Sequence, residues 1–89
     1  MITDSPLTNL DGSPVTEGGE PVLMNRVLAS ILVNGNSGDP IRAYDLALRV
    51  YRGELTEPSE SDTEFIAQAV KRAQGPPDAI KAQLLKALK

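Results

Sequence analysis

The chain has 89 residues and a net charge of −3, and it contains no Cys, His or Trp. The lack of Cys excludes disulfides and thiolate metal sites, and the lack of His removes the commonest general base and metal ligand. The negative charge disfavours strongly electrostatic binding to nucleic acid. The length suits one small domain with a single hydrophobic core.

Residues 1–20 carry turn-forming residues and no helical period, so we expect an N-terminal arm or small hairpin ahead of a helical domain at 21–89. The Asp11-Gly12 pair between two short apolar pieces predicts a type I′ hairpin turn. Two interpretations remain open: a hairpin folded onto the helices, or an arm that becomes ordered on a partner. In both, the anchoring side chains are Leu7, Leu10 and Val15.

The start of the chain has neither the basic segment nor the apolar segment of a signal peptide. The longest apolar run, over residues 27–33, is too short to span a bilayer. We therefore expect no contact with a membrane and a location in the cytoplasm.

A first helix is predicted from Pro21 to Asn34, because proline in the first turn of a helix has no N–H bond to lose. One face carries the larger apolar side chains at helical spacing, namely Met24, Val27, Leu28, Ile31 and Leu32. A second apolar strip lies nearly opposite and consists of Val22, Ala29 and Val33. That strip is either core beneath the hairpin or a surface for a partner. Gly35 or Asn36 is expected to end the helix with a positive φ angle.

A second helix, from Asp39 to Gly53, has the strongest pattern in the chain. Asp39 is a typical N-cap, Pro40 suits the first helical position, and Gly53 is typical of a helix end. Apolar side chains cover all but roughly a quarter of its circumference, which is far more than the narrow stripe of a surface helix. We therefore expect this helix to be the centre of the fold, with several neighbours packed on it.

The remaining quarter of the second helix holds its charged residues, which are Arg42, Asp45, Arg49 and Arg52. Asp45 is spaced to pair with Arg42 three positions away and with Arg49 four positions away. The strip is a solvated ion-paired face, a docking face for an acidic protein surface, or the contact surface of a nucleic-acid binder. Asp45 in its middle and the lack of a helix-turn-helix pattern disfavour nucleic acid.

Two further helices are predicted after a short acidic connector, whose core contact is Leu55. Ser59 or Ser61 caps the third helix, since Ser61-x-x-Glu64 has capping-box spacing, and Pro77 can open the fourth. The predicted fold class is all-α: a compact bundle of three to four short helices with an irregular or β-hairpin N-terminal arm. The expected core is Leu28, Ile31, Leu32, Tyr44, Leu48, Tyr51, Phe65, Ile66, Val70, Ile80, Leu84 and Leu88.

The sequence carries no catalytic or cofactor-binding pattern. Nucleophilic triads need His or Cys, which the chain lacks. The acidic run over 54–64 does not have the spacing of a calcium loop. There is no Gly-rich phosphate loop, since the stretch over 17–20 would place two carboxylates where a phosphate must approach. We therefore expect no enzymatic activity, no cofactor and no bound metal.

Taken in order, several segments resemble those of short, often uncharacterised proteins encoded in tailed-bacteriophage and prophage genomes. They are LTNLDGSPVTEGGEPV, then an aliphatic helix, then DPIRAYDLALRVYRGELTE, and finally FIAQAVKRA with a PP-led terminal helix. Some small helical proteins from phage tail gene clusters act as tail-assembly chaperones, and this chain is similar to them in size and helical content. The resemblance implies a location in the cytoplasm of a bacterial host cell, and it assigns no role to any single residue.

The predicted function is therefore that of a non-enzymatic phage or prophage protein that acts through protein–protein contacts in virion or tail assembly. Its partner is another protein or a second copy of the chain. The alternative is a small regulator that binds nucleic acid through the arginines of the second helix. The candidate partner surface combines those arginines with three apolar residues: Arg42, Arg49, Arg52, Val22, Val33 and Leu85.

Overall fold

The computed structural model describes residues 2–35, 38–55 and 57–88. Within these residues a short antiparallel hairpin is followed by four helices. The strands are β1 (Thr16–Glu17) and β2 (Glu20–Pro21), and the helices are α1 (Met24–Asn34), α2 (Pro40–Tyr51), α3 (Glu60–Arg72) and α4 (Asp78–Ala87). The fold is thus mostly helical, as predicted, but the strand pair means that it is not strictly all-α.

The helix at the centre of the fold is α1, because it packs against both α2 and α3, while α4 packs on α3. The prediction that α2 holds this place is wrong. Its buried face consists only of Ala43, Leu46, Ala47 and Val50. Tyr44 and Tyr51, both expected in the core, are 60% and 56% exposed, and Ile41 is 84% exposed. A domain of this size has too few elements to cover the wide apolar arc of α2.

The first helix begins three residues later than predicted, at Met24 rather than Pro21. Pro21 instead pairs with Thr16 at the end of the hairpin, where its missing N–H leaves no bond unmade. Gly35 also departs from the prediction, since its φ angle is −81° rather than positive. A side chain at Gly35 would bring its Cβ within 2.8 Å of the Ile31 carbonyl oxygen, so glycine is favoured there by space. Asn36, the alternative helix end, lies outside the described residues.

The N-terminal segment folds onto the helices, and backbone hydrogen bonds connect three of its extended residues, Leu7, Val15 and Val22. Leu7 N–H donates to Val22 O at 2.9 Å, Val15 N–H donates to Leu7 O at 2.8 Å, and Val22 N–H donates to Val15 O at 2.8 Å. Leu7 is fully buried and Val15 is half-buried, as expected of anchors. Leu10 was wrongly predicted to be a third anchor, because it sits at the tip of a turn and is 100% exposed.

That turn is not of type I′, although it does contain Asp11 and Gly12. Gly12 N–H donates to Asn9 O at 3.0 Å, and Asn9 N–H donates to Ser13 O at 2.8 Å. No described residue other than glycine has a positive φ angle, whereas Gly12 has a φ of 88°. The geometry is that of a three-residue hairpin loop closed by a left-handed glycine, in which only Gly12 needs the unusual conformation.

Local capping signals place the ends of α2 and α3. Asp39 Oδ1 accepts a bond from the Arg42 N–H at 3.1 Å, and Pro40 occupies the first helical position, as predicted. Gly53 follows the helix with a φ of 75°. Of the two serines proposed for α3, Ser59 is the cap, because its Oγ accepts from the Asp62 N–H at 3.1 Å. Ser61 lies inside the helix, so the predicted capping box does not form.

The hydrophobic core lies where α1, α2, α3 and α4 meet the N-terminal segment and the connector after α2. Seven predicted members are buried, namely Leu28, Ile31, Leu32, Ile66, Val70, Leu84 and Leu88, and the contact predicted for Leu55 is confirmed. Leu48, Phe65 and Ile80 are half-buried. Ile2 is a further buried member that the sequence did not point to. The radius of gyration of 12.2 Å is about that expected for a compact chain of this length.

Candidate functional site

An apolar groove lies between α1 and α2, and we call it the tyrosine groove. It has a volume of about 300 Å³. Its lining comes from both helices and comprises Arg26, Ala29, Ser30, Val33, Tyr44, Ala47, Leu48 and Tyr51. Ala29 and Ala47 are buried. Val33, on one side of the groove, is 50% exposed, and Tyr44 and Tyr51, on the other side, are 60% and 56% exposed.

Helical spacing explains how the groove arises. On α2, Ala43, Ala47 and Val50 point towards the core, and Tyr44 and Tyr51 lie seven residues apart on one side of that face. The two tyrosine rings therefore stand in a row along the edge of the contact between α1 and α2. Since alanine is small, Ala29 and Ala47 leave the space between the helices open above them.

The end of the groove near Tyr51 carries a positive charge and a polar anchor. The guanidinium carbon of Arg26 lies 5.8 Å from the centroid of the Tyr51 ring. Next to it, Asn25 is buried, and its Nδ2 donates to the Tyr51 carbonyl oxygen at 3.4 Å. The other amide oxygen, Asn25 Oδ1, is buried without a hydrogen-bond partner. These contacts hold the carboxyl end of α2 against the start of α1.

The structure does not bring the three predicted apolar surface residues together. Val33 lines the tyrosine groove and is 50% exposed. Val22 lies on the other side of α1, half-buried beside the hairpin, and lines a second groove there with Arg26 and Val27. Leu85 belongs to α4 and is half-buried against the core. Val33 is therefore the one member of the three that lies in the tyrosine groove.

The predicted basic strip is divided among different contacts. Arg42 Nη2 lies 3.0 Å from Asp62 Oδ1, and it donates to Ser61 Oγ at 3.0 Å. The predicted pair between Arg42 and Asp45 is thus wrong, because Arg42 turns towards α3. The predicted pair between Asp45 and Arg49 does form, at 3.9 Å. Within the described part of the chain, only Arg52 of the three arginines keeps a side chain without an acidic partner.

A larger cleft of about 1110 Å³ opens between α1 and α3, on the other side of the central helix. Its apolar surface comes from Ile31, Phe65, Ala69 and Ala73, and its polar rim carries Asn34, Glu64, Gln68 and Arg72. Charges of both signs and neutral amides alternate around this rim. This mixture of polar groups does not favour one particular ionic group.

The described residues hold no group of three or more acidic side chains placed to bind a metal ion. Among the ionisable groups of the described residues, only Asp11, at the tip of the hairpin, has a clear pKa shift. The Ser13 hydroxyl lies 2.6 Å from Asp11 Oδ1 and the Ser13 N–H lies 2.9 Å from it, and these bonds lower the pKa of the carboxyl below its ordinary value of 3.8. A lowered pKa at an exposed turn is a structural effect and indicates no acid–base chemistry.

The tyrosines of the groove were expected in the core, so sequence reasoning did not identify the groove. A signal for it exists in the spacing of Ile41, Tyr44, Leu48 and Tyr51, which follows the 3-4-3 pattern of helices that pair with other helices. This stripe lies next to the buried face of α2 rather than within it. Two adjacent apolar stripes on one short helix indicate two contact surfaces.

Comparison of the chain with known protein families, with curated proteins and with solved structures found no match. In the part of the chain that the structure describes, no helix has the length and apolar character needed to cross a membrane.

Proposed function

We propose that the protein is a non-enzymatic binding protein, which recognises another protein through the tyrosine groove. The observation that carries this proposal is the exposure of Tyr44, Tyr51 and Val33 around an apolar floor. Tyrosine is enriched at the centres of protein interfaces, because its ring offers a large apolar area and its hydroxyl tolerates water before the partner arrives. Arg26, stacked near Tyr51, adds a second residue type that is common in such centres.

The shape of the groove favours a helix as the bound element. Grooves between two helices commonly take the apolar face of a third helix, whose side chains reach in at spacings of three and four residues. Tyr44, Leu48 and Tyr51 repeat at these same spacings along the wall. Among the described residues of the lining, Arg26 is the only one with a charged side chain, so the partner contributes an apolar face with an acidic group at one end.

We place this activity in the assembly of phage virions or tails, within the bacterial host cell. That part of the proposal rests on the resemblance of the segments quoted above to proteins from phage and prophage genomes. An assembly factor of this kind covers an apolar segment of a virion protein until that segment is built into the particle. The exposed apolar groove supports such a task, because it supplies a surface for transient burial.

The test is site-specific photocrosslinking in bacteria that produce the phage. A photoreactive amino acid replaces Tyr44 in the groove or, as a matched control, Ala82, which is exposed on α4. We expect the probe at position 44 to form a product with a virion or tail protein of the same phage, and the probe at position 82 to form none. Products of equal yield from both positions, or none from either, would contradict the proposal.

A second readout is the yield of particles. Deletion of the gene should reduce infectious particles, and the wild-type gene supplied in trans should restore them. The Tyr44→Ala/Tyr51→Ala double variant, which removes only exposed rings, should fail to restore the yield although it folds. A full yield of particles without the gene would exclude a role in assembly.

A further inference from the structure

We infer that a second copy of this chain also docks on the exposed stripe of α2, with the two α2 helices antiparallel. This inference rests on the proposed function in using the same surface, and it names one specific occupant. The α2 stripe consists of Ile41, Tyr44, Leu48 and Tyr51. Three of these side chains are more than half exposed, and Leu48 is half-buried at the edge of the tyrosine groove.

The α2 stripe is suited to pairing with another copy of itself. In an antiparallel pair related by a two-fold axis, Ile41 lies opposite Tyr51 of the second copy, and Tyr44 lies opposite Leu48 of the second copy. The axis repeats both contacts, so four layers form along the whole of α2. Each layer joins an aliphatic side chain to an aromatic ring, which avoids placing two bulky rings opposite each other.

The charges beside the stripe favour the same arrangement. Asp45 and Arg52 lie seven residues apart and therefore on the same edge of the α2 stripe. In the antiparallel register, Asp45 and Arg52 of the second copy are offset by about five residues, or about 7.5 Å along the axis. Side chains on a helix lean towards its amino end, so these two lean towards each other. The two-fold axis forms this ion pair twice.

Arg52 is available for such a pair. Among the described residues its side chain has no acidic partner, whereas Arg42 is held by Asp62. The contact of Asp45 with Arg49 spans 3.9 Å between exposed side chains, so it is weak and leaves Asp45 able to pair with Arg52 of the second copy.

The area of the molecular surface is consistent with a missing partner. The accessible surface is 5675 Å², whereas a monomer of 9.5 kDa usually exposes about 5050 Å². The difference, about 600 Å², approaches the roughly 800 Å² that each partner contributes to a standard interface.

Sedimentation equilibrium of the whole protein tests whether the second copy binds. We expect a monomer–dimer equilibrium between about 1 μM and about 500 μM. Ile41→Lys, which changes the most exposed member of the stripe, should weaken dimerisation about tenfold or more and leave the circular dichroism spectrum unchanged. A wild-type protein that remains monomeric at the upper concentration would overturn the inference.

Charge reversal tests the antiparallel register. Asp45→Arg and Arg52→Asp should each weaken the dimer about tenfold, because each turns both ion pairs into like charges. The double variant should recover wild-type dimerisation, and an equimolar mixture of the two single variants should form a heterodimer. Arg72→Asp is the matched control, since it places the same charge change at the carboxyl end of α3. A double variant as weak as the single variants would overturn the register.

The outcomes also separate this inference from the proposed function. A strict monomer that still crosslinks to a virion protein from position 44 would overturn the inference and leave the function standing. A dimer with the predicted charge dependence, but with no crosslink to any other protein, would support the inference and contradict the function in assembly.

Discussion

Arg42 joins α2 to α3, because it forms an ion pair with Asp62 and also lies over the ring of Phe65. Its Nη2 is 3.0 Å from Asp62 Oδ1, and its guanidinium carbon is 4.6 Å from the centroid of the Phe65 ring. The pair is partly shielded, since the two charged side chains are 37% and 24% exposed. The contact is a main link between these helices, because α2 packs chiefly on α1.

We predict that Arg42→Ala lowers the free energy of unfolding by about 1–2 kcal/mol, because it removes a partly shielded ion pair and a cation–π contact together. A double-mutant cycle with Asp62→Asn should give a coupling of about 0.5–1 kcal/mol, measured by urea denaturation. Arg52→Ala, whose side chain lacks an acidic partner in the described chain, is the control and should change stability by less than about 0.5 kcal/mol. A coupling energy near zero would show that the contact between Arg42 and Asp62 does not stabilise the fold.

Gln83 fastens the N-terminal segment to α4. Thr8 N–H donates to Gln83 Oε1 at 2.9 Å, and Gln83 Nε2 donates to Thr8 O at 2.8 Å, so one side chain satisfies both backbone groups. Gln83→Ala should therefore lower the free energy of unfolding by about 1–2 kcal/mol. Hydrogen exchange at the Thr8 amide should also become faster by an order of magnitude or so.

The control for Gln83 is Gln68→Ala on α3. Gln68 is exposed, and its Nε2 donates only to Glu64 Oε1, at 3.4 Å. Its loss should change stability by less than about 0.5 kcal/mol and should leave the exchange of Thr8 unaltered. If Gln83→Ala matched Gln68→Ala in both measurements, the bonds of Gln83 would not contribute to holding the N-terminal segment, and buried residues such as Ile2 and Leu7 would hold it instead.

Local signals in the sequence predicted the helix ends well. Asp39, Pro40 and Gly53 each act within a few residues of their own position, and all three have the predicted roles. Pro21 shows the limit of such reasoning, since proline suits both the first turn of a helix and the edge of a strand. Its place is decided by bonds from distant residues, among them Leu7 N–H to Val22 O, which keep the chain extended up to Leu23.

The candidate site was harder to predict than the fold. A periodic pattern shows which side chains of α2 are apolar, but it does not show how many neighbours the fold has to cover them. The rule that apolar rings lie inside placed Tyr44 and Tyr51 in the core, whereas the buried face of α2 includes the small residues Ala43 and Ala47. Val33 was identified as a possible partner surface because it lay off the main stripe of its own helix.

Stability at low pH should depend on Asp11 and Ser13. The Ser13 hydroxyl bond, with help from the Ser13 N–H, lowers the pKa of Asp11 in the folded protein below the ordinary 3.8. The folded state therefore binds this proton less readily than the unfolded state. Its contribution to stability is complete above the unfolded pKa and is lost as the pH falls through the lowered folded value.

A carbon-detected NMR titration of the Asp11 carboxyl should accordingly give a midpoint below 3.8. Ser13→Ala removes the larger cause and should move that midpoint upwards. Ser5→Ala is the control, because the Ser5 side chain makes no bond to Asp11, and it should leave the midpoint in place. An unchanged midpoint in Ser13→Ala would assign the shift to the backbone bond.

Two leucines on α2 should respond very differently to truncation, because they serve different surfaces. Leu46 is 2% exposed in the core, so Leu46→Ala should lower the free energy of unfolding by about 2–4 kcal/mol. Leu48 is half-buried at the edge of the tyrosine groove, so Leu48→Ala should lower the free energy of unfolding by about 1 kcal/mol or less. Urea denaturation at about 1 μM protein measures both costs while keeping any dimer dissociated.

The same pair separates folding from self-association. In sedimentation at high concentration, Leu48→Ala should weaken the dimer, because Leu48 faces Tyr44 of the second copy in the proposed register. Leu46, on the buried face, takes no part in that contact. If Leu48→Ala cost as much stability as Leu46→Ala at low concentration, the outer stripe of α2 would belong to the core of the monomer. The tyrosine groove would then be a closed contact between α1 and α2, with no room for a partner.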